Sequence, residues 1–172
     1  MTNNIKLIGV VGAGQMGLGI AQVFATSGFD VLLNDNNKIA LSNSSEVIKT
    51  NLKKAINKGR LHKNEGISSV KKIKPEFDIS QLGKCDLIIE AATEDEKIKH
   101  EIFKDLIPHL QPHTILTSNT SSISITRLAA RTDRPEKFMG CHFMKPAPVM
   151  QLVELVRGIA TNEETTNCLK DL

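Results

Sequence analysis

The sequence predicts a doubly wound α/β chain, a mostly parallel sheet with helices on both faces. Three observations predict it. Short aliphatic runs alternate with longer amphipathic ones, as when helices join parallel strands. A glycine triplet, Gly12-x-Gly14-x-x-Gly17, falls between the first such strand and the first helix. An acid, Asp35, closes the second strand. Together they make the architecture Rossmann-type.

The elements follow in order. Residues 5–11 (IKLIGVV) are short, aliphatic and ended by glycine, which reads as a buried strand. Ile20, Ala21, Phe24 and Ala25 recur at helical spacing, and Gly28 closes that helix from the position just past its end. Residues 31–33 form the next strand, and a polar helix carrying Leu52 and Ile56 on one face runs over 38–59. The next stretch predicts a short helix over 64–70, a short strand over 71–74 and a loop holding Pro75. Strands at 86–90 and 114–117 flank a helix over 95–109, stopped near Pro108 and Pro112. A short helix at 124–131 precedes strands at 137–143 and 151–156. Thr161-x-x-Glu164 has the spacing of a capping box for a final helix.

Composition narrows the class. The 172 residues suffice for one domain, assigned as 1–172. Forty per cent are apolar, with six Phe and neither Trp nor Tyr, so the core must be aliphatic. No apolar run approaches the ~20 residues of a membrane span. The first strand begins too early to leave room for a targeting peptide. Cys85, Cys141 and Cys168 match no disulfide or metal pattern, so the expectation is a cytoplasmic protein with reduced thiols and no metal. Neither nucleic acid nor membrane is an expected partner. The net charge of +3 is concentrated between Lys49 and Lys74, which fits either an anionic partner or a solvated helix face.

Three places carry chemistry. The glycine motif lets the chain turn tightly, brings backbone against a pyrophosphate and packs helix on strand, with the helix N-terminus facing the phosphates. Asp35 can accept ribose hydroxyls and would repel a 2′-phosphate, which favours NAD over NADP. Residues 118–122 (SNTSS) follow a strand and precede a helix; they serve as capping residues or as a substrate contact. In residues 151–156 (QLVELV), Glu154 shares a face with Leu152 and Val156, while Val153 and Leu155 share the other. Both faces are apolar, so the strand is expected to be covered on both sides, with Glu154 buried and needing a partner. His142 ends the preceding strand, and Pro146-Ala-Pro148 shapes the turn between them. A histidine held by a carboxylate is a general-base arrangement; the alternative is a purely structural pair. His62, His100, His109 and His113 read as surface residues.

The glycine fingerprint, SNTSS at 118–122, RPEKFMG at 134–140 and HFMKPAPVMQLVELVRG at 142–158 together resemble the 3-hydroxyacyl-CoA dehydrogenases, especially the bacterial 3-hydroxybutyryl-CoA branch. The resemblance spans essentially the whole chain with the spacing between blocks preserved. It implies an NAD-linked oxidoreductase of fatty acid metabolism that interconverts L-3-hydroxyacyl-CoA and 3-ketoacyl-CoA. His142 matches the catalytic base, Glu154 the acid that holds it, and Ser121 the serine that contacts the reacting oxygen and places substrate and cofactor. The fingerprint residues Gly12, Gly14, Gln15, Met16 and Gly17, with Asp35, are expected at NAD. Glu94 and Lys99 match positions lining its nicotinamide side. Lys58 matches a lysine that grips coenzyme A phosphates, with Lys54 one turn away and Asn51 at a position where relatives carry a serine. A homodimer is expected of the full-length family.

Two departures stand out. Lys145 takes the place of an asparagine that touches the cofactor, so its charge either opposes the cationic nicotinamide of NAD⁺ or turns to solvent. The family also continues into a helical domain that this sequence does not include, so a non-catalytic dinucleotide-binding fragment is the alternative reading. Other dehydrogenases with Gly-x-Gly-x-Met-Gly are weighed too: the 3-hydroxyisobutyrate type lacks the His–Glu pair, whereas the gulonate type shares it.

Overall fold

The computed structural model describes residues 5–172. It contains one seven-stranded sheet with helices on both faces. The strands are β1 (Leu7–Val11), β2 (Asp30–Asn34), β3 (Ile73–Glu76), β4 (Leu87–Glu90), β5 (Ile115–Ser118), β6 (Phe138–Phe143) and β7 (Val153–Arg157). The helices are α1 (Gln15–Thr26), α2 (Lys38–Asn57), α3 (Lys63–Lys72), α4 (Glu96–Leu106), α5 (Ile125–Ala129) and α6 (Glu163–Lys170). The sheet order is β3-β2-β1-β4-β5-β6-β7, parallel except for the antiparallel β6–β7 pair. The chain winds one way from β1 through β2 to β3 and the other way through β4, β5 and β6. Such a reversal leaves a crevice at the carboxyl ends of β1 and β4, where ligands of these folds bind.

Strand periodicity divides the core. Ile8 and Val10 of β1, with Leu87 and Ile89 of β4, face the layer that holds Ile20 and Phe24 of α1. Val11 and Ile88 face Phe103 of α4 and Leu128 of α5. Both layers are chiefly aliphatic, as the composition predicts, and the few aromatics meet edge to face: Phe103 and Phe138 have ring centres 5.1 Å apart.

Several boundaries differ from expectation. The first strand starts at Leu7, and the last spans 153–157 rather than 151–156. α3 absorbs Lys71 and Lys72, and β3 lies over 73–76 with Pro75 inside it. Among the described residues β3 pairs only with β2, and an edge strand tolerates a residue without an N–H donor. The capping box also fails. Asn162 caps α6 by accepting from the Thr165 N–H at 2.7 Å, while the Thr161 hydroxyl donates to the Phe138 carbonyl at 2.7 Å. The Thr161 oxygen also accepts from the Gly158 N–H at 2.8 Å, so its hydroxyl is engaged away from the helix and the cap falls to Asn162. Gly28 does stand just past α1, at φ +99°.

The larger correction concerns β7. Val153 is 37% and Val156 44% exposed, so the strand is not covered on both faces, and the Glu154 side chain is 53% exposed. β7 pairs with β6 on one side, and among the described residues nothing pairs with its other edge. No helix of the described chain is long and apolar enough to cross a membrane.

Candidate functional site

The glycine loop after β1 is shaped by close approach. Gly12 has φ +110°, and a Cβ there would stand 2.6 Å from the Ala91 carbonyl oxygen. A Cβ on Gly17 would stand 1.8 Å from the Gly12 carbonyl oxygen. Gly14 has open space beside it. Gly14 is also the N-cap of α1, with no side-chain cap and no acid in the first turn. The unsatisfied N–H groups of that first turn therefore face open volume with their partial positive charge. This cradle fits a pyrophosphate. Asp35 sits beside it: Oδ2 accepts from the Ala13 N–H at 2.6 Å and Oδ1 from the Asn37 N–H at 2.7 Å. Each oxygen keeps a lone pair for a further donor.

A cavity of about 440 Å³ opens at the carboxyl ends of β1, β4, β5 and β6. Eight sequence-predicted residues line it together: Gly14, Gln15, Met16, Glu94, Lys99, Ser121, His142 and Lys145. Gly12, in the loop, and Gly17, in the first turn of α1, are buried behind its wall. Asn51, Lys54 and Lys58 do not reach it; they lie on or just beyond α2, Asn51 half-buried and both lysines exposed. A second cavity, of about 630 Å³, lies nearer to them, between Gln22 of α1, Ala55 of α2, Arg60 and residues 147–151.

His142 and Glu154 face each other directly across the antiparallel β6–β7 register. Nδ1 of His142 lies 2.9 Å from Oε2 of Glu154. An ionised carboxylate only accepts, so the proton of this bond resides on Nδ1, and Nε2 offers a lone pair. The ring is mostly sheltered, its side chain 21% exposed, whereas Glu154 faces water. The neighbouring Cys141 thiol is inert, since burial pushes it up to about 12.

The serine loop is built around Glu94. Its Oε1 accepts from the Thr120 hydroxyl at 2.6 Å, the Ser122 hydroxyl at 2.8 Å and the N–H groups of Ser121 and Ser122 at 3.0 and 3.1 Å. The Ser121 hydroxyl stands 3.3 Å away and is the loosest donor of the set. Desolvation raises the Glu94 pKa, but the hydrogen bonds from Thr120, Ser122 and the two backbone N–H groups outweigh it and hold the value at about 2. Capping still explains part of the cluster, because Ile123 N–H bonds to the Thr120 hydroxyl at 2.9 Å and Ser124 caps α5.

Beneath this loop lies a buried ion pair whose carboxylate, Glu90, the sequence reading did not single out. Lys99 Nζ is 2.6 Å from Glu90 Oε2, with the two side chains 2% and 0% exposed. The Ser118 hydroxyl donates to the same oxygen at 2.6 Å, and the Ala92 N–H donates to Oε1 at 2.9 Å. Asn119, read only as part of the 118–122 cluster, has a role of its own: its Oδ1 accepts from the Phe143 N–H at 2.8 Å and ties the serine loop to the end of β6. The available signal was a carboxylate ending an aliphatic strand and a lysine nine residues on. His100 also departs from expectation, being half-buried, with no hydrogen bond to Nε2 and the Glu96 carboxylate 3.9 Å from it.

Known proteins share this fold. The model of the 3-hydroxyacyl-CoA dehydrogenase NAD-binding domain matches residues 7–172. The 3-hydroxybutyryl-CoA dehydrogenase of Bradyrhizobium diazoefficiens is 48% identical over 167 residues, 97% of this chain and 57% of that protein. The 3-hydroxyadipyl-CoA dehydrogenase of Escherichia coli is 42% identical over 172 residues, 100% of this chain and 36% of that one. The crystal structure of (S)-3-hydroxybutyryl-CoA dehydrogenase from Ralstonia eutropha superposes with a TM-score of 0.94 at 39% identity, over 98% of this chain and 59% of that one. The chain thus spans little more than half the length of the 3-hydroxybutyryl-CoA dehydrogenases it matches.

Proposed function

We propose a function for a chain that belongs to the 3-hydroxyacyl-CoA dehydrogenase family, whose NAD-binding domain it carries: NAD-dependent oxidation of L-3-hydroxyacyl-CoA, 3-hydroxybutyryl-CoA in particular, to 3-ketoacyl-CoA. The observation that carries this reading is the His142–Glu154 bond of 2.9 Å beside the cavity into which the glycine loop opens. The cofactor NAD, when bound, supplies the hydride acceptor. Every other task falls to the chain. The uncapped first turn of α1 holds the pyrophosphate, with Gly14, Gln15 and Met16 at its surface. Asp35 accepts ribose hydroxyls with the lone pairs its loop contacts leave free.

Nε2 of His142 takes the hydroxyl proton of the substrate. Glu154 keeps the ring in the tautomer that makes this possible and stabilises the imidazolium that results. Ser121 hydrogen-bonds the reacting oxygen, and Glu94 positions that serine. Asn51, Lys54 and Lys58 receive the anionic coenzyme A tail along α2, which gives the basic stretch a partner rather than only solvent.

A second reading is favoured by one observation. Glu154 is 53% exposed, and a dyad open to water is weaker than one in a dry site. On that reading residues 1–172 alone bind dinucleotide without turning substrate over. Loss of NADH absorbance with acetoacetyl-CoA, in this chain and its His142→Ala variant, separates the two. Turnover abolished by the substitution supports the base assignment. Turnover that survives it overturns that assignment. Silence in both, with NADH still bound, leaves the binding function alone.

A further inference from the structure

The charges around the 440 Å³ cavity are nearly all occupied. Lys99 pairs with Glu90 beneath it, His142 with Glu154 at its edge, and Glu94 is held by the donors of the serine loop. Lys145 differs. It lines the same cavity three residues on from His142, is exposed, and has no ion-pair or hydrogen-bond partner for its ammonium among the described residues.

We propose that Lys145 is a specificity-determining residue that sets the preference of the site between the two redox forms of the nicotinamide cofactor, favouring NADH over NAD⁺. This inference rests on the NAD-dependent reading above. The two forms share their adenosine, riboses and pyrophosphate, so the glycine loop and Asp35 treat them alike. They differ by one positive charge on the ring. Direct hydride transfer requires that ring to lie against the substrate carbon, and that carbon lies where His142 can reach its oxygen. Lys145 therefore belongs to the ring end of the cavity, and Asp35, at the end of β2, to the other.

A lysine cannot relieve the conflict by accepting a hydrogen bond. Water attenuates the repulsion without abolishing it. A unit charge about 7 Å away, in surroundings between protein surface and water, alters relative affinity roughly three- to tenfold at low salt. In a mixed pool the site fills with the reduced form and stands loaded for carbonyl reduction. In that direction hydride passes to C3, and the proton comes from Nε2 of His142 to the oxygen.

The test compares dissociation constants for NADH and NAD⁺ in the unaltered chain and in Lys145→Asn, Lys145→Met and Lys145→Arg. The chain has no Trp and no Tyr, so NADH fluorescence reports binding without interference and NAD⁺ is read by displacement. The neutral variants are expected to tighten NAD⁺ relative to NADH by roughly three- to tenfold, while Arg preserves the original ratio. Added salt should compress the ratio in the unaltered chain and leave the neutral variants unmoved. A ratio that stays constant on neutralising Lys145, with both forms bound, overturns this inference alone. An unaltered chain that binds neither form overturns the NAD-dependent reading and this inference with it.

Discussion

Glu90 and Glu154 are both strand glutamates near one cavity, in opposite surroundings. Glu90 ends a central strand, is fully buried and is met by Lys99, Ser118 and the Ala92 N–H. Glu154 sits on the last strand of the sheet, more than half exposed, with His142 as its partner. The central pair is held by packing, and its loss is a folding problem. The edge pair is held by register alone, and on the proposed function its loss is a chemical problem. A buried ion pair resists removal of one partner because the other is stranded out of water, whereas an exposed carboxylate falls back on solvent.

The largest expected effect breaks the central pair. Lys99→Met strands Glu90 and should cost about 3–5 kcal/mol, lowering the thermal midpoint by about 10 °C or more. Calorimetry checks this. Lys99→Met combined with Glu90→Leu should recover most of the loss, since an apolar pair of similar volume restores a satisfied interior. Next is Gly17→Ala, whose new Cβ would stand 1.8 Å from a backbone oxygen. Denaturant titration should show a loss of about 1–3 kcal/mol, accompanied by loss of NADH binding.

Glu94 is intermediate. Its folded pKa of about 2 lies below its ordinary value of 4.5, so its contribution is complete above 4.5 and is lost as pH falls through 2. The amide resonances of Ser121 and Ser122 should therefore hold steady on acidification and shift with a midpoint near 2, provided the chain stays folded. A midpoint near the ordinary value would mean that the carboxylate does not hold the loop in solution. The smallest effect on folding belongs to the edge: Glu154→Gln should alter stability by no more than about 0.5 kcal/mol. The same substitution should impair proton abstraction, because a neutral amide cannot stabilise an imidazolium. A large stability loss there would erase the distinction between the two glutamates.

The alternation of apolar runs was enough to read the sheet and its helices, because strand and helix periods are local properties of the chain. The glycine fingerprint was legible for a related reason: Gly12 needs φ +110° and Gly17 a close backbone approach, and few other residues meet either demand. The register that sets His142 opposite Glu154 was half legible, since the two strands follow one another in the chain with only a loop over 144–152 between them.

What sequence could not reveal depends on which groups arrive from afar. An apolar strand reads as covered on both faces, but β7 is exposed at the end of the sheet, and only strand order decides that. The Thr161 spacing promised a capping box, but its hydroxyl bonds the Phe138 carbonyl and the Gly158 N–H instead. Glu94 became the centre of the serine loop, and Ser118 met the buried Glu90, because β4 and β5 lie side by side. Local periodicity and backbone conformation belong to the chain and can be read from it. Partnership, burial and the ionisation of a carboxylate are set by neighbours in space, and those the tertiary structure alone decided.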